Sequence, residues 1–236
     1  MSKLLWLGVI LVVLTNSAWA AVIPEDAEKF DDEFSLQPYV SLGFGGSKFL
    51  VGTAKNSSTG EVKDVHLSPA GADALGVKLK YTLAPVLDLI GGFGYNSARE
   101  DQTVKSAEAK FSWINVSGSV VGNTPYSLIL RRLVRWHGGL GVDYYSSPEL
   151  SISGWASVSG KYASKLGYHA LVGIEIRDQK AFSVSIDARY RMAKVAATTM
   201  SLNGVSTYDV IGPDGTLLRT MNLTAFELAL GLNWHF

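Results

Sequence analysis

One pattern recurs along this chain: stretches of about ten residues in which apolar and polar side chains alternate strictly. In FELALGLNWHF, residues Phe226, Leu228, Leu230, Leu232, Trp234 and Phe236 share one parity, and Glu227, Ala229, Gly231, Asn233 and His235 share the other. A period of two belongs to an extended strand whose faces meet different surroundings. The run is also long enough for a tilted strand to cross the hydrocarbon layer, which takes about 9 to 11 residues. A single such run would fit the edge of a soluble sandwich. It is the repetition that excludes one.

The same alternation appears at 36–45, where Leu36, Val40, Leu42 and Phe44 oppose Gln37, Tyr39, Ser41 and Gly43, and again at 75–83, 87–96, 134–145, 166–176 and 182–192. A fourth segment, 114–130, keeps Ile114, Val116, Val120, Tyr126, Leu128 and Leu130 on the apolar parity, so it reads as one long strand despite a weak point at Gly122 to Pro125. With the terminal run this makes eight strands, and a barrel with both ends in the periplasm needs an even number. Short turns near Ala84, Arg132 and Gln179 alternate with long polar loops at 47–72, 97–113, 146–165 and 193–222. The last of these contains Gly212-Pro213-Asp214-Gly215 between apolar runs, which predicts a hairpin. Outward aromatics sort by height: Tyr81, Trp136, Phe182, Trp234 and Phe236 lie toward the short turns. Phe44, Tyr95, Tyr144, Tyr168, Tyr190 and Phe226 lie toward the loops. Two belts are expected of rings that settle at two lipid–water boundaries.

The remaining composition narrows the choice. MSKLLWLGVILVVLTNSAWAAV has Lys3, an apolar core from Leu4 to Leu14, and small residues Ala18 and Ala20, the pattern of a secretory signal cleaved after Ala20. Cysteine is absent, which removes disulfide frameworks and thiolate metal sites. Beyond residue 20 nothing approaches the roughly 18 consecutive apolar residues of a membrane helix, and the other way to satisfy the backbone in lipid is a closed barrel. Residues 21–34 carry six acids and one lysine, an acidic solvated arm before the first strand. The formal net charge is +0 and no basic patch supports a nucleic-acid partner.

Signal peptide, eight alternating strands, glycine-rich inward positions and a final strand ending in Phe236 together resemble the small outer-membrane barrels of Gram-negative bacteria, the OmpA-barrel and OmpW-like group. The resemblance implies an all-β, eight-stranded antiparallel transmembrane barrel over 35–236, with short periplasmic turns and long extracellular loops. It implies a monomer in the outer membrane among lipid and lipopolysaccharide, delivered by periplasmic chaperones and the barrel-assembly machinery, with Phe236 and Trp234 as the signal read by that machinery.

The lumen of eight strands holds its own side chains or one small ligand. The inward parity supplies Lys78, Lys80, Asp88, Arg135, Asp143, Glu175, Asp187, Arg189, Arg191 and Glu227. Charges of both signs at this density should pair, because an unpaired buried charge costs several kcal/mol. Lys80 and Asp88 come close across the Pro85 turn in either register. Such a network either plugs the barrel or forms a narrow gate for small solutes. The corresponding functions are envelope integrity or restricted passage, without catalysis; the long loops offer a surface-binding alternative. A lipid A enzyme is the third reading. Its best residues are an Asp143–His169 couple, if strands five and six bring them together, with Ser146, Ser147 or Ser164 nearby. The His-x-Ser-Asn stretch of deacylases is missing. His66, His137, His169 and His235 lack zinc-ligand spacing. No cofactor is expected.

Overall fold

The computed structural model describes residues 33–45, 48–55, 62–99, 108–129, 132–153, 157–177, 181–207 and 218–236. The signal segment and almost all of the acidic arm lie outside these residues. Eight long strands build the wall: β1 (Phe34–Phe44), β2 (Asp73–Ala84), β3 (Leu87–Arg99), β4 (Glu108–Asn123), β5 (Arg132–Ser153), β6 (Lys165–Arg177), β7 (Phe182–Met192) and β8 (Ala225–His235). Each is antiparallel to its sequence neighbours, and β8 pairs with β1, so the sheet closes into a barrel. At the seam Val40 faces Leu230 and Phe44 faces Phe226. Closure leaves no unpaired wall edge, which is the condition for placing a sheet in lipid.

Burial runs opposite to that of a water-soluble fold. Along β1, Ser35, Gln37, Tyr39 and Ser41 are buried while Leu36, Val40, Leu42 and Phe44 are exposed. Along β8, Glu227, Asn233 and His235 are buried, yet Leu230 and Trp234 are 52% and 54% exposed. A continuous apolar wall of this kind needs hydrocarbon around it. Near the short turns Phe34 packs against Tyr81 with ring centroids 4.9 Å apart, and Phe182 stacks on Trp234 at 6.1 Å. Toward the other end Phe44, Tyr95, Tyr144, Tyr168, Tyr190 and Phe226 all stand exposed. Phe34, placed by its charged neighbours in the arm, belongs to the first strand.

Two further expectations need correction. The fourth strand begins at Glu108 and stops at Asn123 instead of running unbroken over 114–130. Pro125 has no N–H for a ladder. Thr124 N instead donates to Trp136 O at 2.8 Å, and among the described residues Ser127–Ile129 pairs only with the first residues of β5. That short strand is a lip and not a stave, so the count stays even.

The second correction concerns the long loops, much of which is strand. β3 reaches Arg99, β5 reaches Ser153, and Val158–Tyr162, Lys194–Leu202 and Val205–Thr207 extend the sheet beyond the upper aromatic ring. A parity change conceals this in the sequence. Ser147 has φ 48°, beside a register shift opposite Ser112 and Ile114. Below it Trp136, Leu140, Val142 and Tyr144 face outward; above it Leu150 and Ile152 are buried. One extra residue at a bulge moves every following side chain to the other face. The buried faces of this head enclose Phe111, Trp113, Tyr145, Leu150, Ile152, Tyr162, Val195, Met200, Met221 and Leu223. Burying each large side chain contributes about 1.5–3 kcal/mol, so the head holds together without disulfides. Its described hairpin turns at Asn203–Gly204, both at positive φ (51° and 80°), the requirement of a two-residue I′ turn. The turn expected at Gly212–Gly215 lies outside the described residues.

Candidate functional site in the barrel lumen

All ten charged residues read as inward from the sequence, five cations and five carboxylates, line the lumen in three tiers. At the short-turn end Glu175 of β6 is the hub. Arg135 on β5 donates to its Oε2 from Nη2 at 2.6 Å and from Nε at 2.8 Å, and Lys80 Nζ on β2 lies 3.3 Å from the same oxygen. Its Oε1 accepts from Ser183 Oγ at 2.6 Å and Tyr126 OH at 3.3 Å, with His235 Nε2 at 3.2 Å. Asp88 on β3 stands 3.7 Å from Arg135 Nη2 and 4.0 Å from Lys80 Nζ, across the Pro85 turn.

In the middle tier Asp187 on β7 takes Lys78 Nζ at 2.6 Å on one oxygen and His137 Nε2 at 2.8 Å on the other. Gly173 makes that approach possible. A Cβ there would come within 2.5 Å of His137 Nε2 and 2.6 Å of Asp187 Oδ1. Lys78 also lies over the Tyr39 ring, 4.9 Å from its centroid, where the ring face attracts a cation.

The outer tier sits beneath the head. Arg189 Nη2 donates to Asp143 Oδ1, and its Nη1 is 3.9 Å from Glu227. Arg191 Nη1 is 3.5 Å from Glu227 and 3.3 Å from Asn96 Oδ1, while its other nitrogens donate to the Leu223 and Ala70 carbonyls and its Cζ lies 5.3 Å from the centroid of the Trp113 ring. Ser41 donates to Glu227. A guanidinium with this many acceptors ties polar lumen to apolar head.

Asp143 and His169 do meet, with Nδ1 2.9 Å from Oδ2. They sit diagonally, since Asp143 pairs with Gly167 and His169 with Gly141. None of the three serines proposed from sequence is their partner. Ser147 N donates to Ser164 Oγ at 3.4 Å and Ser146 lies beside Ser147, all at the head's surface. The serine in contact is Ser119 of β4, whose Oγ lies 2.8 Å from His169 Nε2. Its odd, inward parity was visible, but only the strand register reveals the partner. Tyr126 was also misplaced, on the lipid-facing parity; past the break at Pro125 it turns into the mouth of the barrel to reach Glu175. Arg177, buried at 2% exposure, was missed because it lies one residue past the predicted end of its strand.

The space left over is small. A cavity of about 40 Å³ lies among Lys78, Ser119, His137, His169, Asp187 and Arg189, room for a few water molecules. Among the described residues no group of three His, Asp or Glu could hold a metal ion.

The sequence matches no family model and no curated protein. The fold matches solved structures. Neisserial surface protein A, NspA, superposes with a TM-score of 0.50 at 12% identity over 86% of this chain and 97% of its own. The outer membrane protein OprG from Pseudomonas aeruginosa does so with a TM-score of 0.50 at 13% identity over 87% of this chain and 96% of its own. At such identities the likeness is one of fold.

Proposed function

Taking the fold of a small outer-membrane β-barrel as premise, we propose that the protein resides in the outer membrane of a Gram-negative cell as a sealed barrel that contributes to envelope integrity and does not conduct. What supports this reading is the lumen: three tiers of paired charges fill it, and the apolar core of the head lies above them. Removing one partner of such a pair leaves a buried charge, so the tiers resist opening. A gated path would need a tier able to part at low cost. Planar-bilayer recording tests the reading. The folded protein should give no resolved steps, and neither should Lys80→Ala or Arg189→Ala; discrete steps in the unaltered protein would overturn it.

A second reading, binding through the head, has one observation in its favour. Ser151, Ser159, Ser201 and Ser206 lie opposite one another on successive strands, with Lys110 opposite Ser151 at the end of the row. Ser159 and Ser201 share a 2.8 Å hydrogen bond. Such a flat row of hydroxyls suits a sugar-bearing partner such as lipopolysaccharide. Ser151→Glu and Ser159→Glu should weaken adhesion to lipopolysaccharide-coated surfaces while the barrel still folds; unchanged adhesion removes this reading.

A further inference from the structure

The contact of Ser119, His169 and Asp143 is more specific than charge neutralisation requires. Ser119 Oγ lies 2.8 Å from His169 Nε2, and His169 Nδ1 lies 2.9 Å from Asp143 Oδ2. Asp143 is fully buried and His169 is 3% exposed. Arg189 and Asn115 Nδ2, the latter at 3.3 Å, donate to Asp143 Oδ1 and hold the carboxylate as an acceptor. Two groups face Nδ1, the Asp143 carboxylate at 2.9 Å and the Arg189 Nη2 donor farther off at 3.4 Å; the nearer acceptor places the imidazole proton on Nδ1, so Nε2 presents its lone pair to the serine hydroxyl.

Regular strand pairing builds this arrangement. Ser119 on β4 faces Gly141 on β5, and Gly141 faces His169 on β6. A Cβ at Gly141 would come within 2.5 Å of His169 Cε1 and Nε2, so only glycine lets the ring cross the middle strand to reach Ser119. Asp143 sits two residues along the same middle strand. Arg189 Nε is buried without a hydrogen-bond partner, and Arg189 lines the same cavity as Ser119.

We propose that Ser119 is a nucleophile for small acyl donors, with His169 as its base and Asp143 as the residue that orients the imidazole. In the first step Ser119 Oγ attacks the carbonyl carbon of a small ester and its proton passes to His169 Nε2. The carbon–alkoxide bond then breaks, and the leaving alkoxide takes that proton, leaving an ester on Ser119. Water, deprotonated by the same nitrogen, attacks this ester, releases the acid and restores the hydroxyl. Arg189 is the cation available to the carbonyl oxygen as it gains charge. A cavity of about 40 Å³ admits an acyl group of a few heavy atoms, which excludes the fatty acyl chains of lipid A. The proposal goes beyond the sealed-barrel reading and leaves it standing, because a pocket beneath the apolar head is not a pore.

The test uses the full chain folded in detergent micelles, with folding checked by heat-dependent gel mobility, treated with methanesulfonyl fluoride and weighed intact. One adduct, mapped to Ser119, is expected. It should vanish in Ser119→Ala and persist in Ser117→Ala, a second serine of β4 that lines the same cavity, and its rate should fall at least about 100-fold in His169→Gln, the scale of a lost general base. Hydrolysis of methyl acetate, followed by the methanol released, should follow the same order. Should His169→Gln not fold, Ser119→Ala, which removes one hydroxyl, carries the decision. No adduct on the folded protein, or equal labelling in Ser119→Ala, would overturn the proposal without touching the conductance result.

Discussion

Glu175→Gln removes one charge and almost no volume, and its cost follows from the contacts around it. Glu175 is 3% exposed and lies 2.6 Å from Arg135 Nη2 and 3.3 Å from Lys80 Nζ. At an effective dielectric near 20, each such attraction is on the order of 5 kcal/mol. Most of that is offset by the desolvation Glu175 no longer incurs when neutral. What remains is two buried cations whose one other carboxylate among the described residues is Asp88, at 3.7 and 4.0 Å. The net loss should be about 3–5 kcal/mol, the usual cost of breaking a buried pair by deleting one member. Urea unfolding in micelles, followed by gel mobility and tryptophan fluorescence, measures it. Adding Lys80→Met to Glu175→Gln should recover at least about 1 kcal/mol, because one orphaned cation goes with it. A loss below about 1 kcal/mol, or no recovery in the double variant, would refute the view that these charges hold one another.

Leu140 is 45% exposed on the outer face between Trp136 and Tyr144; Leu140→Arg should cost about 2–4 kcal/mol in lipid, read by the same unfolding assay in vesicles. Phe111 is fully buried in the head, in ring contact with Trp113 and Tyr162 at 5.5 and 5.3 Å. Phe111→Ala should cost the head about 3–5 kcal/mol and expose 157–162 to protease while the wall stays resistant. Tyr162 OH donates to Leu218 O at 2.6 Å, and burial pushes its hydroxyl above the ordinary tyrosine range. A group whose folded pKa is raised keeps its contribution below the unfolded value, about 10, and loses it as pH climbs beyond. The head should therefore become protease-sensitive above that pH, and Tyr162→Phe should lessen the dependence.

The wall was legible because each membrane-crossing strand separates two solvents, and that separation is written directly in residues such as Leu228, Leu230 and Leu232 against Glu227, Ala229 and Gly231. Above the aromatic ring both reasons for the pattern end. The outward face meets polar surroundings, and at Ser147 the parity itself reverses, so Leu150 and Ile152 read as loop although they pack in the core. At the lip, Tyr126 carried the apolar parity past Pro125, and only the missing proline N–H marked the turn. Inward charges could be named one by one from parity, yet partnership depends on register between strands. Ser119 reaches His169 because Gly141 lies between them, a relation among three strands that no single segment contains.

The central claim is that one face of every stave touches hydrocarbon and the other closes on itself. Because the chain has no cysteine, single cysteines at 228 through 232 can carry a nitroxide in lipid vesicles, with oxygen and a water-soluble nickel complex as relaxing agents. Positions 228, 230 and 232 should be open to oxygen and closed to nickel, with 229 and 231 shielded from both. Nickel reaching either set throughout, or a signal without the two-residue period, would contradict the account.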